Sequence, residues 1–246
     1  MPKAVIFDCY NTLLRYVSDE QKDQIWEMML TAIEYMLEKT LGIMPEELEA
    51  LYQDAHTEEK RACQKQYGEF AEMSLRRVWK NTLLALDVPY EIAEEKAEDI
   101  LLVFRLFTRK KKALFPNVQQ ELEKLKMNGI KLLLLSNAQT CFIYNELPLE
   151  IRELFDEVII SEVVGIMKPS EEVFRLAFEK LGVEPKDIVF VGDSAEDDMI
   201  PSGKFGCGRV MIGKERQKIS ALSNVNLFNP YRESGYTGLA EMIIAM

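Results

Sequence analysis

Residues 4–14 read AVIFDCYNTLL. Four apolar residues, Ala4 to Phe7, run straight into Asp8, and the turn formers Asn11 and Thr12 follow. A short apolar run bounded by turn residues reads as a buried strand. Its stop on a carboxylate places an acid at the strand's carboxyl end. The rest of the chain decides what kind of sheet receives that strand. After Pro116 two textures alternate. VQQELEKLKMNG (118–129) reads as a helix closed by Gly129, and IKLLLLS (130–136) as a strand. EVIIS (157–161) reads as a strand, SEEVFRLAFEKLG (170–182) as a helix closed by Gly182, and DIVFVGD (187–193) as a strand. GRVMIG (208–213) is a further strand, and TGLAEMIIAM (237–246) a last helix. Apolar strands separated by amphipathic helices predict an α/β fold, a parallel sheet covered on both faces.

The stretch between the first strand and Pro116 is different. SDEQKDQIWEMMLTAIEYMLEKT (18–40) carries Ile25, Met28, Met29, Ile33, Met36 and Leu37 at three- and four-residue spacing, which predicts an amphipathic helix. Ser18 and Gln21 have the spacing of a capping box at its start. Further helices are expected over 45–66, 69–86 and 89–110, with Pro45 and Pro89 in first-turn positions. The basic run Arg109 to Lys112 reads as a solvated helix end, favourable near a helix C-terminus. The expected organisation is an α/β core from 1–15 and 113–246, interrupted by an all-helical domain over 16–112.

Bulk properties narrow the function classes. The chain has 246 residues, 48% of them hydrophobic and 29% charged, enough to bury a sizeable core. A net charge of −11 disfavours nucleic acid or an anionic membrane as partner, since both need a basic face. A small anionic substrate stays compatible, because local cations outweigh a distant negative surface. The four cysteines, Cys9, Cys63, Cys141 and Cys207, are scattered, which suits a reducing, cytoplasmic setting. Nothing in the sequence selects between a monomer and a homodimer.

In open α/β sheets, ligands gather at the carboxyl ends of the strands. Asp8 follows AVIF, Ser136 and Asn137 follow KLLLL, Lys168 sits in VVGIMKPSEE, and Asp193 follows VFVG in GDSAEDD. Each has an ordinary reading alone: a turn aspartate, turn residues, an exposed loop lysine, an acidic helix start. Together, four separate segments deliver carboxylates, a hydroxyl and a lysine to one sheet edge, and that convergence points to a site.

These segments, in this order, resemble the haloacid dehalogenase-like hydrolase superfamily. The likeness covers FDCYNTLL, LFPNVQQELEKLKMNGIKLLLLSN, FDEVIISEVVGIMKPSEEVF and DIVFVGDSAEDD, and the helical insert resembles the superfamily's C1-type cap. The resemblance implies a Rossmann-like core with an inserted helical cap. It implies Asp8 as the nucleophile, forming a covalent aspartyl intermediate that water hydrolyses. It implies that Thr12 orients the nucleophile loop, and that Ser136 and the backbone N–H of Asn137 hold the transferring group. Lys168 would offset charge beside Asp8. Mg²⁺ would be held by Asp8, the Tyr10 backbone carbonyl, Asp193 and Asp198, an oxygen-only set of the kind that ion prefers. Asp193 and Asp198, five residues apart, fit a turn leading into a helix rather than one helix face.

One position departs from the phosphatases of this superfamily. They carry a second aspartate two residues after the nucleophile to protonate the leaving oxygen; here Tyr10 stands there. Tyrosine at that place resembles the 2-haloacid dehalogenase branch, which releases halide and uses no metal. That branch resembles SSNAWD at its last motif, where this chain has GDSAEDD, and it uses an early arginine in its cap. Arg15 and Arg61 are separated by no arginine. Clustering Asp193, Asp197 and Asp198 near Asp8 without a cation would be costly. The reading favoured is a Mg²⁺-dependent phosphatase of a small phosphorylated metabolite with a good leaving group. The alternatives are a metal-independent 2-haloacid dehalogenase and a catalytically impaired binding protein of the same fold. Other residues have structural readings: Cys9 as a buried small hydrophobe, His56 as a solvated helix position, and Trp26, Met28, Met29 and Met36 as helical core.

Overall fold

A computed structural model describes residues 1–19, 24–214 and 224–246. The chain forms two compact units, one of Met1–Tyr16 with Lys112–Met246, the other of Val17–Lys111.

The first unit begins with β1 (Ala4–Phe7), and β2 (Leu14–Ser18) follows the loop after it. The second unit holds α1 (Ile25–Leu37), α2 (Pro45–Tyr67), α3 (Leu75–Ala85) and α4 (Tyr90–Thr108). The chain returns along β3 (Arg109–Leu114), which pairs with β2 in a two-stranded sheet. Then come α5 (Val118–Met127), β4 (Lys131–Ser136), α6 (Thr140–Glu146), α7 (Leu149–Arg152) and β5 (Glu157–Ile160). They are followed by α8 (Ser161–Val164), α9 (Glu171–Leu181) and β6 (Ile188–Gly192). A π-helical turn over Ala195–Met199 leads into α10 (Ile200–Lys204). The chain ends with β7 (Gly208–Ile212), β8 (Asn226–Phe228) and α11 (Leu239–Ile244).

Six strands form one parallel sheet in the order β5-β4-β1-β6-β7-β8. Alternation within the strands separates two cores. Val5, Phe7, Leu132, Leu134, Val189 and Val191 join one. Ala4, Ile6, Leu133, Leu135, Ile188 and Phe190 join the other. Both faces are therefore buried, which is why these strands read as continuous apolar runs. The chain leaves β1 for β4 on one side and reaches β6 on the other, so β1 is the switch point where crevices open. Phe7 pairs with Leu134 and with Val191. That register brings the residues after all three strands to one level.

The helical unit has its own aromatic core. Tyr52 and Trp79 lie 4.7 Å apart by ring centroid, Trp79 and Phe104 5.4 Å, and Trp26 and Tyr52 5.2 Å. Met29, Ile33, Leu48, Val78, Leu83 and Ile100 are buried with them.

Four local expectations are corrected. Ser18 ends β2 instead of capping α1, whose N-cap is Gln24; Gln21 lies outside the described residues. The third helix begins at Leu75, not Glu69, because the Ser74 hydroxyl accepts the Arg77 N–H and caps it there. Pro89 is the N-cap of α4 rather than its first helical residue, and α4 stops at Thr108. Arg109 to Lys112 therefore belong to β3, because pairing with β2 satisfies their backbone groups. The lysine side chains at 110–112 stay exposed.

Candidate active site

The loop after β1 is held from several sides. Asp8 N–H donates to the Val191 carbonyl at 2.9 Å, continuing the pairing with β6. Asn11 adopts a left-handed backbone at φ 58°, which asparagine tolerates better than most residues. Its side chain accepts the Tyr16 N–H at 3.2 Å, and the N–H groups of Leu13 and Leu14 both reach the Cys9 carbonyl. Cys9 is buried in the core, as its alternation away from Asp8 requires.

Asp8, Asp193 and Asp198 converge. Each offers a carboxylate oxygen, and the three oxygens lie within 4.8 Å of one another. Lys168 Nζ donates to Asp8 Oδ1 at 2.8 Å and to Asp198 Oδ1 at 2.7 Å. Asp8, Lys168 and Asp198 are all buried. Asp193 stands two residues before the π-turn and Asp198 lies within it, and the turn's wider ring presents Asp198 back toward its own start. There Asp198 Oδ2 accepts the Ser194 N–H at 3.1 Å. Gly192 makes room: a Cβ on it would stand 2.3 Å from Asp198 Oδ2. The Ser202 hydroxyl donates to the Asp198 carbonyl, which ties α10 to the turn.

The electrostatics follow from three acids sharing one ammonium. Burial, reinforced by Asp8 and Asp198, pushes the Asp193 carboxyl up to about 7. Burial also pushes Asp198 up, against the opposing pull of Lys168. Burial works against the charge of Lys168, but the adjacent Asp198 and Asp8 carboxylates hold its ammonium above lysine's ordinary range. Fully ionised, the cluster has an excess of buried negative charge, and protons or a bound cation must offset it.

The other expected residues stand at the end of β4 and in the loop after β1. Ser136 ends β4, fully buried, and its Oγ has no hydrogen-bond partner among the described residues. Thr12 Oγ1 is in the same condition. Such buried hydroxyls are available to a ligand, since leaving them unmatched costs free energy. Asn137 does more than its sequence role implied. Its side chain donates to the Lys168 carbonyl at 2.9 Å and accepts the Lys168 N–H at 2.8 Å. This two-point clasp fixes the backbone that carries the lysine.

Tyr10 is half-buried, and its ring packs against the core. Its hydroxyl donates to Glu146 Oε2 at 2.7 Å, and its ring meets Tyr16 edge-on at 5.4 Å. Glu146, buried at the end of α6, went unnoticed in the sequence; a glutamate closing an amphipathic helix carries no local signal. Gly192, in contrast, stands next to Asp193 in a strand-end VGD and was open to the argument for close approach.

The cluster combines a carboxylate nucleophile candidate, a buried ammonium touching it and an oxygen-only set of three carboxylates that could hold a cation. A family model described as haloacid dehalogenase-like hydrolase matches residues 2–203. The glyceraldehyde 3-phosphate phosphatase of Methanothermobacter thermautotrophicus is 32% identical over 102 residues, 41% of this chain and 45% of that protein. The matched stretch thus spans under half the length of that relative. The (S)-2-haloacid dehalogenase 4A of Burkholderia cepacia is 27% identical over 220 residues, 87% of this chain and 84% of that one. Among solved structures, a 2-haloacid dehalogenase from Pseudomonas syringae pv. Tomato DC3000 superposes with a TM-score of 0.70 at 24% identity, covering 100% of this chain and 99% of that chain. That likeness speaks to the fold alone.

Proposed function

The chain belongs to the haloacid dehalogenase-like hydrolases, and from that premise we propose that it is a Mg²⁺-dependent phosphatase acting on a small phosphorylated metabolite. The observation that carries this reading is the cluster of Asp8, Asp193 and Asp198 around one lysine. An oxygen-only donor set with excess negative charge fits a hard divalent cation, and Asp193 pushed up to about 7 reports the charge such a cation would offset. Asp8, Asp193, Asp198 and the Tyr10 carbonyl would hold Mg²⁺, which supplies electrostatic stabilisation of the transferring phosphoryl group.

The chain's own residues then divide the work. An Asp8 carboxylate oxygen attacks phosphorus, the bond to the leaving oxygen breaks with its electron pair, and an aspartyl phosphate results. Water attacks that phosphate and regenerates the Asp8 carboxylate. The Lys168 ammonium touching Asp8 lowers the repulsion between nucleophile and phosphate. The Ser136 hydroxyl and the Asn137 N–H receive phosphoryl oxygens, and Thr12 orients the loop. Side chains of the helical unit are proposed to set specificity.

The fate of the leaving oxygen distinguishes this chain. The Tyr10 hydroxyl already donates its hydrogen bond to Glu146 Oε2. A phenolate beside that carboxylate would place two negative charges in contact, so Tyr10 is a poor donor to an alkoxide. The proposed substrates therefore have leaving groups that depart unprotonated, such as aryl or acyl phosphates. Tyr10→Asp is expected to raise alkyl relative to aryl phosphate turnover by about tenfold or more, within the range of general acid catalysis. Tyr10→Phe should leave that ratio unchanged. A ratio that falls in Tyr10→Phe would identify the phenol as the acid after all.

A second reading has its own support. Tyr10 and the long match to a 2-haloacid dehalogenase favour halide release without metal. Aryl phosphate hydrolysis assayed with Mg²⁺ and with chelator, beside halide release from 2-chloropropionate, separates the two. Phosphate release should fall by roughly 100-fold or more on chelation. Chelator-insensitive halide release without phosphatase activity would reverse the assignment.

Metal binding also has a pH signature. An unfolded aspartate titrates near ~3.9, whereas Asp193 in the metal-free fold titrates at about 7. Across that interval the folded state binds more protons, so this group's contribution to stability falls as pH rises. A cation competes with the proton it replaces. Mg²⁺ should therefore raise Tm more at pH 8 than at pH 5.5 in a thermal-shift titration. Equal shifts at both pH values would speak against Asp193 as a ligand.

A further inference from the structure

The nucleophile loop is tethered to the far end of the chain. Tyr236 is fully buried, and its hydroxyl donates to the Thr12 carbonyl across 224 positions of sequence. Its ring lies between Phe115 and Phe228, at centroid distances of 5.9 and 5.7 Å.

The turn carrying Tyr236 is itself pinned. Tyr236 N–H donates to the Pro116 carbonyl at 2.8 Å. The Asn117 side chain donates to the Ser234 carbonyl at 3.1 Å and to Thr237 Oγ1 at 3.0 Å. Gly235 has φ 55°, and a Cβ on it would stand 2.3 Å from the Pro116 carbonyl oxygen. Only glycine permits that approach without displacement. The circuit closes where Phe115 N–H donates to the Leu13 carbonyl at 3.0 Å. Three segments, 12–13, 115–117 and 234–237, thus hold one another, with the phenol as the strut that reaches the loop.

We propose that Tyr236 is a positioning residue for the reaction: its hydroxyl fixes the Thr12 carbonyl, and through the tight loop it fixes the aim of Asp8. The loop is well suited to transmit such a constraint. Leu13 and Leu14 N–H groups both bond to the Cys9 carbonyl, at 2.8 and 3.0 Å, so Thr12 cannot shift without pulling the residue next to Asp8. Thr12 Oγ1, buried and without a partner among the described residues, moves with the same peptide. Small displacements of a nucleophile are costly because attack demands a narrow geometry. The catalytic consequence rests on Asp8 being the nucleophile of a phosphatase; the tether does not.

The test uses Tyr236→Phe, which removes one oxygen and leaves the ring. Amide hydrogen exchange reads the tether with no substrate present. Residues 9–14 should exchange at least ~10-fold faster, with strands β1, β4 and β6 unchanged. In aryl phosphate hydrolysis, kcat should fall roughly 10- to 100-fold while KM stays within about twofold. Orthovanadate, which mimics the pentacoordinate transition state, should bind weaker by a similar factor, whereas inorganic phosphate should not. A loss of folded protein alone would shift neither inhibition constant. In the unmodified protein at low denaturant, segments 9–14 and 234–237 should lose protection together, a result independent of how well the variant folds. Exchange in 9–14 within about twofold of the parent, or separate opening of the two segments, overturns the tether. Accelerated exchange with unchanged kcat and vanadate affinity overturns the catalytic role. A parent protein with no phosphatase activity would instead overturn the functional reading, and exchange would still decide the tether.

Discussion

Asp8→Asn is expected to abolish phosphate release, by roughly 10⁴-fold or more, while leaving the protein folded. The size follows from chemistry: an amide has no anionic oxygen with which to form the acyl phosphate, and removal of a covalent nucleophile leaves only binding and electrostatic assistance. The retained stability follows from the charges. Asp8 lies within 4.8 Å of two other carboxylates and shares one lysine with Asp198. Asparagine keeps an acceptor for the Lys168 ammonium and removes one member of a mutually repelling set. With less repulsion, Asp193 should titrate lower than about 7. The Tm of the variant in chelator at pH 8 should therefore equal or exceed that of the parent. Steady-state kinetics and a thermal melt check both halves. Residual turnover within tenfold of the parent would remove Asp8 from the nucleophile's place, and a large fall in Tm would mean that the carboxylate serves structure instead.

The separation between what the sequence disclosed and what it concealed is physical. A strand that ends on Asp8, a strand that ends on Ser136 and a strand that ends before Asp193 are local patterns, because burial on both sheet faces forces continuous apolar runs. The parallel sheet then brings those ends level, and the site follows from register. Lys168 became legible only in the company of the others, since an isolated loop lysine is normally solvated. The Tyr10–Glu146 contact spans 136 positions and the Tyr236–Thr12 contact 224, and no periodicity in either partner announces it. Asn137 illustrates a third case. Its place beside Ser136 was evident, but the clasp of its side chain on the Lys168 backbone depends on a loop conformation that composition does not encode. The misreading of Arg109 to Lys112 has a related cause. A basic run after an amphipathic helix satisfies the helix macrodipole, and the competing strand partner, β2, lies more than ninety residues earlier in the chain.

Lys168→Met separates the two duties of that lysine, since methionine fills similar space without charge. Removing one partner of a buried ion cluster leaves the others unmatched, a cost of roughly 3–5 kcal/mol. Here both remaining partners are carboxylates, and a third lies beside them, so the relief must come from protons or from a cation. The sign with pH follows. Lysine itself stays protonated in folded and unfolded chains below about pH 10, so its loss adds no slope in the neutral range. The slope comes from the acids. Asp193 and Asp198 are already pushed up to about 7 and about 6 by burial, and Lys168 is what opposes the rise. Without it both should titrate higher still, and the folded variant should bind more protons than the unfolded chain throughout the range from about pH 4 upward past neutrality. Its stability must then fall steeply as pH rises through that window. In chelator the variant should melt close to the parent at pH 5 and far below it at pH 8. Mg²⁺ should recover part of the difference at pH 8, because it replaces some of the missing positive charge. Activity should not recover with stability. Asp8 would lose the ammonium 2.8 Å from its Oδ1, and the nucleophile would face an anionic phosphate with less charge to offset the repulsion. A fall in kcat/KM of roughly 100-fold or more is expected at saturating Mg²⁺. Melts of parent and variant that stay parallel from pH 5 to pH 8 would show that the three carboxylates are not electrostatically joined through Lys168, and the charge argument for the metal site would fall with that result.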